Sequence, residues 1–277
     1  MKTRTLNKKF IQSSQSEFSM AIEYIKRNIL AAAELRFSFI MQVVGMMINN
    51  CSFLIIWIFF FKAFGKINGW NTLEVVALQG FVAIVYGLSF TFCTGVLQLP
   101  NVIQNGSFDS VLLTPRNLYL RILTLATQAS SVGDMIYGFI VLGFYVVLAH
   151  MSFLQVLLLL SLILPAASML VNFALVTSCI GFFVPDAEDL AKNAFELMFG
   201  PSMYPSGMYQ GATRFIFLLV VPAIAIGGLP VEAIQSISFV KILVVWILAI
   251  VWTLIALFVL KQSVKKYESG NLTGARI

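Results

Sequence analysis

Six long apolar runs alternate with short polar stretches along this chain. They span residues 37–61, 74–98, 122–149, 153–183, 212–229 and 239–261. A hydrocarbon core about 30 Å thick needs about 20 helical residues to cross it. Each run therefore reads as a transmembrane helix. The fifth contains Pro222 and runs into Gly227, Gly228 and Pro230, so it is the one expected to kink or break. Ahead of the first run the period changes. Phe18, Ile22, Ile25 and Ile29 recur at spacings of three and four, while Glu23, Lys26, Arg27 and Glu34 fall on other sides. That pattern fits an amphipathic helix lying on the membrane surface, or a short cytosolic helix packed on protein. No apolar core follows close behind residue 1, which argues against a cleaved signal peptide.

The charges orient the spans. With both termini in the cytoplasm, fifteen of the eighteen Lys and Arg residues fall inside, and only Lys62, Lys66 and Lys241 fall outside. Excess positive charge marks the cytoplasmic side. The expected fold class is an all-α polytopic membrane protein, with six transmembrane helices, an N-terminal amphipathic interfacial helix and both termini cytoplasmic. Residues 1–36 form the cytoplasmic N-terminal segment, 37–261 the membrane domain and 262–277 a cytoplasmic tail. Two inner loops are then long, 99–121 and 184–211, and the outer loops are short.

Composition strengthens this picture. Charged residues make up 11% of the chain, against about 25% in soluble domains. The formal net charge of +6 becomes an inner-face anchor to anionic lipid. It is not read as a nucleic-acid site, which would need a basic patch with stacking aromatics in a soluble module. One histidine and three scattered cysteines offer no metal-ligand spacing and no His-based acid–base pair. Gly65-Lys66 lacks the rest of a phosphate-binding loop, so ATP, if used, binds another chain.

Local features narrow the function. In the 99–121 loop Pro100 is expected to end the second span. Ile103, Phe108, Val111 and Leu112 then form an apolar face around Gly106, with Asp109 and Arg116 as polar handles. Such a piece suits docking into a groove on a cytosolic partner, or dipping into lipid. In the 184–211 loop Asp186 is placed as a helix N-cap with Asp189 near the capping-box position. The competing reading of that acidic cluster is a divalent-metal site. Asn49, Asn50, Gln79, Tyr86 and Asn172 enter the spans and should face protein or a water-filled path. Asp134 needs a cavity, a partner or a place near the inner interface. Ala83, Gly87, Thr91 and Gly95 form a small-residue stripe suited to close helix packing, within the subunit or across a dimer. No catalytic residue and no metal site is assigned.

Two motifs carry a family resemblance. Ile103-Gln104-Asn105-Gly106-Ser107-Phe108-Asp109, followed by Leu112-Leu113-Thr114-Pro115, is similar to the segment after the second span of ABC-2 type permeases of bacteria. Tyr204-Pro205, with Arg214, Pro222 and Pro230 beyond it, resembles the fifth-span region of the same family. The resemblance implies a permease subunit of an ATP-binding-cassette exporter in a bacterial plasma membrane, with no enzymatic chemistry of its own. It implies two copies of a cytosolic ATPase that hold ATP and Mg, and a second permease subunit, identical or not. It implies docking of the ATPase near Ile103, Gly106, Phe108, Asp109, Leu112, Pro115 and Arg116. A secondary carrier, or a membrane-embedded lipid-modifying enzyme, is the alternative. The first would want internal repeats and more intramembrane acids, the second a clustered catalytic set.

Overall fold

The computed structural model describes residues 19–113 and 117–267. Phe18, Pro115, Arg116 and the tail beyond Tyr267 lie outside them. The described chain is all-α, with a single isolated bridge between Ile67 and Trp70. Helix α1 covers residues 19–34. Its Asn28 side chain donates to the Thr124 carbonyl, which ties it to the rest of the molecule.

Among the described residues five helices are long and apolar enough to cross a membrane. They are α2 (Arg36–Phe64), α3 (Thr72–Phe92), α7 (Ala129–Leu148), α8 (Phe153–Ser178, extended by a 3-10 turn to Phe182) and α13 (Phe239–Val264). Their starts are capped locally. Asn71 and Glu74 form a capping box at α3, Ser152 and Gln155 another at α8, and Ser238 caps α13. Helix α3 sits at the centre, packed on α7 and α8, and α13 packs on α8. Helix α2 buries only Asn50, Trp57 and Phe61. Met47, Phe53, Leu54 and Phe60 pack partly against the core, while Phe37, Ile40, Ile48, Ile56, Phe59 and Phe64 are exposed.

With the orientation set by the basic residues, the inner end holds α4 (Gly95–Gln104), α5 (Phe108–Leu112) and α6 (Leu118–Leu123). Two span boundaries move here. The second span stops at Phe92 rather than 98, and Pro100 sits inside α4 instead of ending a helix. The break is at Cys93 and Thr94, where the Thr94 hydroxyl donates back to the Phe90 carbonyl. The third span begins at Ala129, because α6 ends at Leu123 and Thr124 turns its hydroxyl onto the Leu120 carbonyl.

The expected fifth span, 212–229, is not one helix. It comprises α10 (Gly211–Phe215), a π-helical turn over Ile216–Val220, α11 (Ala223–Ile226) and the start of α12 (Gly228–Gln235). The segment turns back at Val221-Pro222. Glu232 closes it at the outer end. Its carboxylate accepts from Lys241 at 3.0 Å and from the Ser206 hydroxyl, and lies 3.7 Å from Arg214. Arg214 therefore sits with Lys241, not on the inner side. Broken backbone at membrane depth is tolerated when protein covers it, and Ala223–Ile226 are all buried.

The segment 184–211 is not an inner loop either. Helix α9 (Glu188–Ser202) runs antiparallel to α3. Phe195 meets Phe90, Phe199 meets Tyr86, and the Met203 carbonyl accepts from Gln79. Beyond it Tyr204 packs on Trp57, and the Gly207 carbonyl accepts from Asn68 in the outer turn. At 15 residues α9 is about 22 Å long, so with residues 203–208 it links the two ends of the bundle. Its charged residues lowered the hydropathy signal and hid it.

A cysteine scan tests this path. In a background without Cys51, Cys93 and Cys179, cysteines replacing exposed Lys66 and Gln210 should react with an impermeant reagent from the same side. One replacing exposed Lys265 should react only after permeabilisation. Labelling of position 210 together with 265 would return 184–211 to the inner face.

Candidate functional site

Four elements of sequence that are far apart converge between α2, α3, α7 and α9. They enclose a cavity of about 320 Å³, lined by Asn49 and Asn50 of α2, Tyr86 of α3, Asp134 of α7 and Phe199 of α9, with Met203 just beyond it. Asn50 lies halfway along α2. Its amide donates to Asp134 Oδ1 at 2.6 Å, the length of a charge-assisted bond. Asp134 Oδ2 is buried and has no partner among the described residues. The neighbouring Gly133 lets α2 come close, since a Cβ there would stand 2.4 Å from the Val43 carbonyl oxygen. Phe53 and Phe199 add aromatic surface, and the Phe199 ring lies 4.5 Å from Tyr86.

Of the six span polar residues singled out in the sequence, Asn49, Asn50, Tyr86 and Asp134 thus share one wall set. Gln79 lies one step further out and fastens α3 to the end of α9 through Met203. Asn172 belongs elsewhere. It accepts from the Tyr119 hydroxyl at 2.8 Å and donates to Ser168 and Thr253, joining α6, α8 and α13. Phe199 and Met203 were missed, because the helix expected after Asp186 was placed in an inner loop, outside the bundle. The spacing of Ala191, Phe195, Met198 and Ser202, all buried, is the helical signal that marks them.

The small-residue stripe packs within the chain. A Cβ on Gly87 would stand 2.4 Å from the Met135 amide nitrogen, and one on Gly95 would stand 2.1 Å from the Ile122 carbonyl. Ala83 packs with Tyr137 and Val141, and Thr91 is buried on the same helix.

At the inner end the chain turns from α4 into α5 at Gly106, whose φ of +74° is the left-handed region that favours glycine. Phe108 does not face outward. It is fully buried, against Phe182 at 5.2 Å and Tyr267 at 5.0 Å, and Val111 is buried beside it. A five-residue helix has too few internal bonds to stand alone, so its largest side chain anchors it to α8 and the end of α13. The exposed apolar residues are Leu112 and Leu113, at 41% and 83%. Ile103 is half-buried, close to Gly181, and Asp109 is half-buried in the first turn of α5. Arg121 ties α6 to the Ser110 carbonyl. Asp186 is not an N-cap. It has a positive φ and accepts from the Gln104 side chain, which holds α4 to the start of α9. Ala187 precedes α9 without a side-chain cap, and Glu188 and Asp189 occupy its first turn, where acids suit the helix dipole.

A bundle of membrane-crossing helices around a half-open cavity with a buried carboxylate, with a braced helical elbow at one end, defines a multi-pass membrane protein. The chain matches the family model described as ABC-2 family transporter protein over residues 46–271, most of its length, and belongs to that family. No curated protein and no solved structure shows significant similarity to it.

Proposed function

We propose that this chain is the permease half of an ATP-driven exporter in a bacterial plasma membrane. It couples to a separate cytosolic ATPase, present in two copies, which binds ATP and Mg. A second permease subunit, identical or related, completes the translocation path. The family supports the transport role. The observation that carries the coupling is the α4–α5 elbow. It is rigidly braced by Phe108, Val111, Arg121 and the Gln104–Asp186 bond, yet presents Leu112 and Leu113 outward. An element that transmits force needs both a firm root and an exposed contact. The weakly buried α2 offers a face for the second permease.

The test is pull-down of the ATPase by the full chain. Leu112→Ala with Leu113→Ala should weaken capture by roughly tenfold or more, the scale of a truncated apolar anchor at an interface, at unchanged expression and melting temperature. Undiminished capture would move the docking surface away from α5.

A further inference from the structure

The cavity between α2, α3, α7 and α9 holds an unmet electrostatic demand. Asp134 is 4% exposed, and only one of its two carboxylate oxygens has a partner. That partner is a neutral amide. No lysine, arginine or histidine lines the cavity. Its remaining walls are Met46, Phe53, Ile56, Tyr86, Phe199 and Met203, with Asn49 and Ser52 as neutral polar groups. A buried carboxylate is costly unless it is paired or neutralised. Buried polar groups left unpaired in this way call for a ligand, an ion or water.

We propose that this cavity binds an organic cation with apolar substituents, its positive centre placed beside the Asp134 carboxylate. The chemistry of the walls selects this class. The carboxylate supplies the opposite charge. The faces of Phe53, Tyr86 and Phe199 attract cations through their ring quadrupoles and bury apolar groups at the same time. A small metal ion would find too few oxygen ligands, since the hard cations want six or more. An anion would face the carboxylate with no compensating basic group. The Asn50 bond occupies one carboxylate oxygen and leaves the other without a hydrogen-bond partner among the described residues. If the permease reading is right, the cation is cargo, and the inference deepens that reading by naming its substrate class.

The experiment uses the full chain in lipid nanodiscs and radiolabelled tetraphenylphosphonium, with empty nanodiscs subtracted. Tetraphenylborate, the same shape with opposite charge, serves as competitor control. Saturable binding of the cation, not displaced by the anion, is expected. Asp134→Asn, which keeps the shape and removes the charge, should weaken it by roughly tenfold or more. Met203→Lys places an ammonium in the cavity, leaves the backbone carbonyl that Gln79 uses, and should abolish binding even if Asp134→Asn fails to fold. Absence of saturable binding, equal affinity in Asp134→Asn, or normal binding by Met203→Lys would each overturn the cation site. ATPase capture by the unsubstituted chain is scored separately. Capture without cation binding overturns this inference and leaves the permease reading standing. Cation binding without capture keeps the site and removes the permease reading.

Discussion

Phe108→Ala is expected to loosen the inner end of the molecule by about 3–5 kcal/mol, the cost of truncating a buried phenylalanine. The side chain is fully buried and makes edge-on contacts with Phe182 and Tyr267. Those two rings belong to different parts of the chain, the end of α8 and the end of α13. Removing Phe108 therefore opens a cavity and unties three segments at once. Helix α5 has five residues, and nucleation costs make so short a helix unstable without its anchor. The membrane-crossing helices are untouched, so insertion should persist. The measurement is limited proteolysis across residues 104–113 alongside thermal unfolding of the full chain. The variant should be cut much faster in that window. A proteolysis rate equal to that of the unsubstituted chain would show that Phe108 does not brace the elbow.

Gly87→Ala is expected to be severely damaging, while Gly143→Ala is expected to be nearly silent. Both glycines lie inside membrane-crossing helices, α3 and α7. At Gly87 an added Cβ would stand 2.4 Å from the Met135 nitrogen and 2.7 Å from its Cα. Backbone atoms of a packed helix cannot swing aside as a side-chain tip can. The two helices must separate, along the largest contact in the bundle. Overpacking a close interface costs about 1–3 kcal/mol and sometimes more. At Gly143 nothing lies within 4 Å of the same added atom, and the better helix propensity of alanine favours the change slightly. Folded yield and melting temperature in detergent separate the two. Equal behaviour would mean that α3 and α7 are not in the close contact described.

The membrane class was readable because apolar runs of the required length leave few other folds. The five long helices follow those runs, with ends displaced where a side chain redirects the backbone. Cys93 and Thr94 end the second span early, and no hydropathy pattern marks that event. The expected fifth span, 212–229, is not one helix for a physical reason, the turn at Val221 and Pro222. Its apolar residues fall in two differently placed pieces: Phe215, Ile216, Leu219 and Val220 are exposed, whereas Ala223–Ile226 fold back and are buried. Helix α9 carries Glu188, Asp189, Lys192 and Glu196, so its hydropathy is low, although its buried face recurs at helical spacing. Composition measures average polarity, and a helix enclosed by protein on one side can afford charges on the other. The cavity was half legible. Asn49, Asn50, Tyr86 and Asp134 stand out as polar groups in apolar runs. Their convergence, and the part played by Phe199 and Met203, depends on the placement of α9. Phe108 illustrates the opposite error. A large apolar residue in a loop motif suggested an exposed anchor, yet the same hydrophobicity buried it in its own chain, and Leu112 and Leu113 are the apolar residues of α5 and its C-terminal end that remain exposed.

The central claim is that this chain moves cargo with energy supplied by another protein. Affinity purification of the tagged full chain, expressed from its native gene neighbourhood in a mild detergent, tests it most directly. The account predicts that an ATP-binding-cassette ATPase co-purifies in a defined ratio with the permease, and that the complex hydrolyses ATP. A chain that purifies alone, and moves a substrate in liposomes without any ATP-hydrolysing partner, would contradict it.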